Sequence, residues 1–188
     1  MRLLVTPDFQ PFFTASVAAS AALIGLLFVS VSIAPERVFG AQSDVVRQAQ
    51  ALSAFSALAN VFFISMMSLV PGVLFGLVVT VVSIPAILQT LALLGLARQW
   101  HSAGIVFRGL LLFAASAAIY GYELGLGIHL WRNPTDKGAL IALLFVLTSA
   151  YAIGLGRAWE LLGAPRFGLL SYLWALWSAF RRKPTAKS

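Results

Sequence analysis

Residues 46–97 read VRQAQALSAFSALANVFFISMMSLVPGVLFGLVVTVVSIPAILQTLALLGLA, and this stretch decides the fold. Two apolar runs, about 46–70 and 73–97, flank the pair Pro71-Gly72. A helix needs about 20 mainly apolar residues to cross the ~30 Å hydrocarbon layer of a bilayer, and each run is long enough. An open strand would leave backbone groups unpaired in lipid, so helices are expected. Proline presets one turn dihedral and glycine accepts the left-handed one, so the two runs are expected to be antiparallel neighbours.

Three more segments of the same kind lie on either side, at about 11–33, 104–130 and 138–162. The composition agrees. Apolar residues make up 60% of the 188 and charged residues only 10%, against about 25% charged in soluble domains. No soluble fold of this size hides that much apolar surface. The expected fold is an all-α, five-span transmembrane bundle over residues 1–163. Residues 164–188 differ. Fourteen residues between Arg166 and Arg181 span only about 21 Å as a helix, too short to cross. They carry Tyr172, Trp174, Trp177 and Phe180, with Arg181, Arg182, Lys183 and Lys187 behind them. This predicts an interfacial amphipathic helix and a basic tail resting on anionic headgroups. Arg2 precedes the first span, but Pro7, Asp8, Gln10 and Pro11 interrupt the start, and the apolar run outlasts a signal-peptide core, so an uncleaved first span is expected.

The net charge of +7 reports topology rather than nucleic-acid binding in such a chain. With five spans, Arg37, Arg47, Arg98, Arg108, Arg157, Arg166, Arg181, Arg182, Lys183 and Lys187 share one side; Arg2, Arg132 and Lys137 share the other. Basic residues favour the cytoplasmic face. The expectation is a bacterial inner-membrane protein with its N-terminus outside and its C-terminus cytoplasmic.

Glu123 is the acid that lies deep in a span, seven residues from Leu130, or about 10 Å below that boundary. An acid near a helix centre costs roughly 2.5–3.5 kcal/mol on insertion scales, so it calls for a partner, a water-filled cavity or a bound proton. Ser116, Tyr120 and Glu123 recur at helical spacing and share a face with Gly109 and Gly127. Asn60 on the second span lies at a depth one helical turn from Glu123 and is the expected partner. Glu123, Asn60, Tyr120 and Ser116 are therefore the candidates for an ion or proton site; structural hydrogen bonding between helices is the alternative. Ser53 and Ser56 extend the Asn60 stripe, and Gln89 and Thr90 add polarity on the third span.

Gly121 and Gly125 form a GxxxG spacing, with Gly127 beyond. Small residues let helices approach closely in lipid, so these three are expected to pack helices within the chain or between copies. Arg108, Arg157 and Glu160 fall at the cytoplasmic boundary and are expected to form an ion-pair cluster there. His101 and His129 lie near opposite faces, too far apart to share a metal or a haem. The chain has no cysteine, which removes thiol chemistry and iron–sulfur ligation. Walker A, H-E-x-x-H and G-x-S-x-G patterns are missing. Neither an enzyme, a metal nor another cofactor is expected.

Three stretches carry a resemblance: residues 18–32 (AASAALIGLLFVSVS), residues 57–72 from ALAN to LVPG, and residues 156–163 (GRAWELLG). They resemble an uncharacterised family of small multi-pass bacterial membrane proteins. The likeness covers most of the chain and implies no activity and no functional residue. The expected function is that of a non-enzymatic membrane protein acting through helix–helix association, as a homo-oligomer or a subunit of a membrane complex. The alternative is a small oligomeric ion channel or proton-coupled transporter using Glu123.

Overall fold

A computed structural model describes residues 7–33, 35, 45–97 and 103–161. A single 3-10 turn, Pro7–Phe9, leads into five helices: α1 (Gln10–Ile33), α2 (Val45–Ser68), α3 (Phe75–Ala97), α4 (Ala103–Arg132) and α5 (Lys137–Leu161). No strand occurs among the described residues. Each helix overlays one expected span to within two residues at either end. The C-terminal interfacial helix, with Arg181, Arg182 and Lys183, falls outside the described residues.

Among the described residues, four helices contain a segment long and apolar enough to cross a membrane: Gln10–Ile33, Ala51–Ser68, Phe75–Ala92 and Lys137–Trp159. The chain thus has the build of a multi-pass membrane protein. Of α4, the longest of the described helices with 30 residues, the side chains of 113–132 are described, and that half carries Glu123, His129 and Arg132.

The turn between α2 and α3 is tight. Gly72 has φ +78°, the left-handed conformation that glycine adopts without a Cβ penalty. The turn between α4 and α5 is closed by Asp136. Its Oδ1 accepts from the backbone N–H of Gly138 at 2.9 Å and of Ala139 at 3.1 Å, capping the orphan donors of α5. Its Oδ2 lies 2.8 Å from His129 Nε2 at the end of α4. These bonds and the α5 macrodipole favour the charged form, so the Asp136 carboxyl sits below its ordinary value, the His129 contact being the main cause.

Helices α2, α3, α4 and α5 form a ring, and α1 leans on the outside of α2. The closest pair is α3 with α4. Glycines decide how near they come. A Cβ on Gly76 would run into the backbone of Leu130 and Trp131, and one on Gly127 would lie 2.7 Å from the Thr80 nitrogen. Two helix backbones in contact leave no room for a methyl group at those points. Gly121 and Gly125 behave otherwise. Nothing lies within 4 Å of a Cβ built on either, and both are exposed. Intrachain packing through the GxxxG pair is therefore corrected: its two glycines turn away from the described helices. Gly127, one face round, and Gly76, which no motif marks, make the close approach.

Among the described residues, one buried apolar cluster extends from the two tight turns into the ring. Phe13, Val61, Ile64, Phe75, Val79, Leu126, Leu130, Leu140, Leu143 and Leu147 belong to it. Phe13 and Phe75 meet edge to face, with centroids 5.6 Å apart.

Candidate functional site

Glu123 sits inside the ring and is fully buried. Three helices supply its surroundings. Asn60 Nδ2, from α2, donates to Glu123 Oε1 at 3.0 Å. Ser83 Oγ, from α3, lies 2.7 Å from the same oxygen. Asn60 is 3% exposed and Ser83 fully buried, so this network excludes bulk water. The contact expected between Asn60 and Glu123 is present, and it runs across the ring rather than between sequence neighbours.

The register of α3 on α4 explains why Ser83 arrives here. Gly76 faces Leu130 and Trp131, Thr80 faces Gly127, and Ser83 faces Glu123. Gly76 and Ser83 are separated by seven residues, as are Glu123 and Leu130. Seven residues are two turns, so these side chains recur on the seam between two nearly parallel-axis helices. Nothing in the sequence singles out Ser83 from the other span serines. Its register against Gly127 is the signal, and that register exists only once the helices are paired.

Ser83 also bonds within its own helix. Its Oγ lies 2.7 Å from the Val79 carbonyl oxygen. A serine hydroxyl has a single proton, yet it stands at short range to two oxygens. Two further polar atoms at the site have no hydrogen-bond partner: Glu123 Oε2 and Asn60 Oδ1. Both are buried acceptors unless a proton is added, and an orphan of this kind is costly in a dry interior.

Tyr120 and Ser116 continue the Glu123 face along α4, one and two turns away, and both are buried. Arg157 reaches this stripe from α5; its Nη2 donates to Ser116 Oγ at 2.7 Å. Tyr120 lies within electrostatic range of both Arg157 and Glu123. Opposite, α3 presents buried Thr90, bonded to its own helix at the Ala86 carbonyl, and α2 presents buried Ser53. The four candidates Glu123, Asn60, Tyr120 and Ser116 are thus all buried in the ring, with Glu123 and Asn60 in direct contact.

The boundary cluster is only partly described. Arg157 turns inward to Ser116. The side chains of Arg108 and Glu160 lie outside the described residues, as does His101. His129 joins Asp136 at the far end. A second polar cluster lies between α1 and α5: Tyr151 donates to Ser20 Oγ at 3.2 Å, and Ser20 bonds to the Ser16 carbonyl. Among the described residues, no three His, Asp or Glu side chains gather as metal ligands would.

No protein-family model, curated protein or solved structure matches this chain.

Proposed function

We propose that this is a proton-handling membrane protein, a small channel or proton-coupled transporter whose working group is the Glu123 carboxyl. In this reading α4 crosses the bilayer with the other four helices, since it lies antiparallel along α3 and a partial crossing would strand its buried polar face in lipid. The protein sits in a bacterial inner membrane with its N-terminus outside, on the ten-to-three division of Lys and Arg.

One observation carries the proposal: a fully buried acid that accepts from Asn60 and Ser83 through Oε1 and whose other oxygen, Oε2, has no partner among the described residues. With a proton on Oε2 the acid is neutral, and Oε1 still accepts from Asn60 Nδ2 and Ser83 Oγ. A charged carboxylate in this enclosure would lack any cation within hydrogen-bond range among the described residues, and buried unpaired charge is far costlier than a buried neutral acid.

A second reading has its own support. Gly121 and Gly125 lie side by side on the outer face of α4 with nothing over them. A neighbouring membrane helix would fit closely there, which favours self-association or a place in a larger complex. The two readings are compatible, because a ring this small makes a pore most readily as an oligomer.

The test is flux. Purified protein in liposomes is given a proton or potassium gradient, and wild type is compared with Glu123→Gln. Flux that the substitution abolishes while thermal stability is retained supports the proposal. No flux from either protein, with the variant destabilised, makes Glu123 a structural clamp.

A further inference from the structure

Two acceptor oxygens of the buried network have no hydrogen-bond partner among the described residues: Glu123 Oε2 and Asn60 Oδ1. They sit on two groups that already touch, since Asn60 Nδ2 donates to Glu123 Oε1 at 3.0 Å. Glu123 is fully buried and Asn60 is 3% exposed, so bulk water does not meet this need. What such oxygens lack is positive charge. A proton bonds one oxygen and points at one more. A small metal cation bonds several at once, and carboxylate and amide oxygens are the hard donors that replace its hydration shell. Charge limits the ion. Glu123 brings a single negative charge, which a monovalent cation cancels as a proton does; a divalent one would leave a net positive charge buried. Arg157 tightens that limit. It is held at Ser116, seven residues along α4 from Glu123 or about 10 Å, too far to neutralise the acid yet near enough to oppose a second positive charge. Packing limits the size. One turn along the seam, at Gly127, α4 runs against the Thr80 backbone, so the space beside Glu123 is narrow and suits a small ion.

We propose that Glu123 and Asn60 form a binding site for a small monovalent metal cation, of sodium size or below, which takes the place of the proton on Glu123. The proposal rests on the proton-handling reading and names what the proton is exchanged for. Glu123 Oε2 supplies the charge and Asn60 Oδ1 a second oxygen. Asn60 Nδ2 and Ser83 Oγ stay on Glu123 Oε1 and hold the carboxyl in place. In the exchange the carboxyl O–H bond breaks, its electron pair stays on the carboxylate, the proton leaves to water, and the cation enters with its charge. The net charge of the pair is zero before and after. Of the helices packed around Glu123, α2 presents the neutral Asn60 and α3 the neutral Ser83. The titratable or charged groups nearby, among the described residues, are Tyr120 on its own helix and Arg157 on α5.

The experiment uses the full chain in detergent micelles and reads the carbonyl stretch of protonated Glu123 by infrared difference spectroscopy, with the band assigned by its loss in Glu123→Gln. Sodium chloride is added at fixed pH and fixed ionic strength, with choline chloride as the balance. The band should fall as sodium rises, with about one proton per chain released to the medium. Two ions competing for one site are reciprocally linked, so the half-saturating sodium concentration should rise about tenfold for each pH unit below the proton's midpoint. Lithium should act as sodium does, while potassium and magnesium should act about tenfold more weakly or less. Asn60→Ala should weaken sodium about tenfold beyond any change in the proton's own midpoint; Ser20→Ala, in the separate α1–α5 cluster, should change neither. Should Asn60→Ala fail to fold, the wild-type competition and the order of ions decide alone. A band that titrates with pH yet ignores sodium, a sodium midpoint independent of pH, or potassium or magnesium acting as strongly as sodium would overturn the cation site and leave the proton-handling reading standing. A band that changes with neither pH nor sodium would overturn both.

Discussion

Gly127→Ala is expected to destabilise the protein, while Gly121→Ala and Gly125→Ala are not, although all three remove a glycine from the same helix. A Cβ at 127 would lie 2.7 Å from the Thr80 nitrogen, 2.8 Å from its hydroxyl and 3.0 Å from a Val79 methyl, where ordinary contact begins at 3.4 Å. The nearest of these atoms is backbone and cannot swing aside. Helices α3 and α4 must part by about 0.7 Å to reach that ordinary contact distance. Ser83 lies one turn along the same seam, so its 2.7 Å approach to Glu123 would stretch to about 3.4 Å, near the limit of a hydrogen bond. Overpacking of this kind costs about 1–3 kcal/mol. A weakened hydrogen bond in a bundle adds about 0.6 kcal/mol. Alanine regains up to about 1 kcal/mol as the better helix former. The net loss is about 1–3 kcal/mol. At 121 and 125 only the helix-propensity gain applies, because the space is open. The assay is reversible unfolding in mixed micelles, with the tryptophans as fluorescent probes. Gly127→Ala unfolding no more readily than Gly121→Ala would refute the register, and with it the reason Ser83 meets Glu123.

Further expectations follow from the same geometry. A double-mutant cycle between Asn60→Leu and Glu123→Leu should return a coupling of about 0.6–1.7 kcal/mol, the range found for buried hydrogen bonds between membrane helices; additive losses would mean the contact is not made. Tyr151→Phe, which removes the donor to Ser20, should cost about 0.6 kcal/mol in the same unfolding assay. Asp136 tests the α4–α5 turn. Its folded value is depressed, so its contribution is present above the unfolded value of about 3.9 and is lost as pH falls through the folded one. Asp136→Ala should therefore melt below wild type at neutral pH, and the two curves should converge in acid. A gap that persists unchanged at low pH would show that the carboxylate is not what holds the turn.

Much of the architecture was legible in the primary chain for a simple reason. The bilayer imposes one length and one hydrogen-bonding rule on every span, so hydropathy and turn residues are enough to place five helices and the antiparallel turn at Pro71-Gly72. The depth of a residue follows from counting along a helix, and counting alone matches Asn60 to Glu123. Counting does not say which way a side chain points, because these helices are apolar nearly all round and their polar faces are narrow. The GxxxG pair shows the consequence. Its spacing announces close packing, yet the rotation of α4 turns Gly121 and Gly125 outward and hands the contact to Gly127 and Gly76. Ser83 is the counterpart. It is one of many span serines in the chain, and it becomes the third member of the Glu123 network only because α3 and α4 meet at their glycines. Arg157 likewise reads as an interfacial residue in the sequence and turns inward to Ser116 in the fold. Helix placement, turn chemistry and the cost of a buried acid are properties of each segment alone, and the sequence determined them. Partners and rotation arise from contacts between segments distant in the chain, and only the tertiary structure decided them.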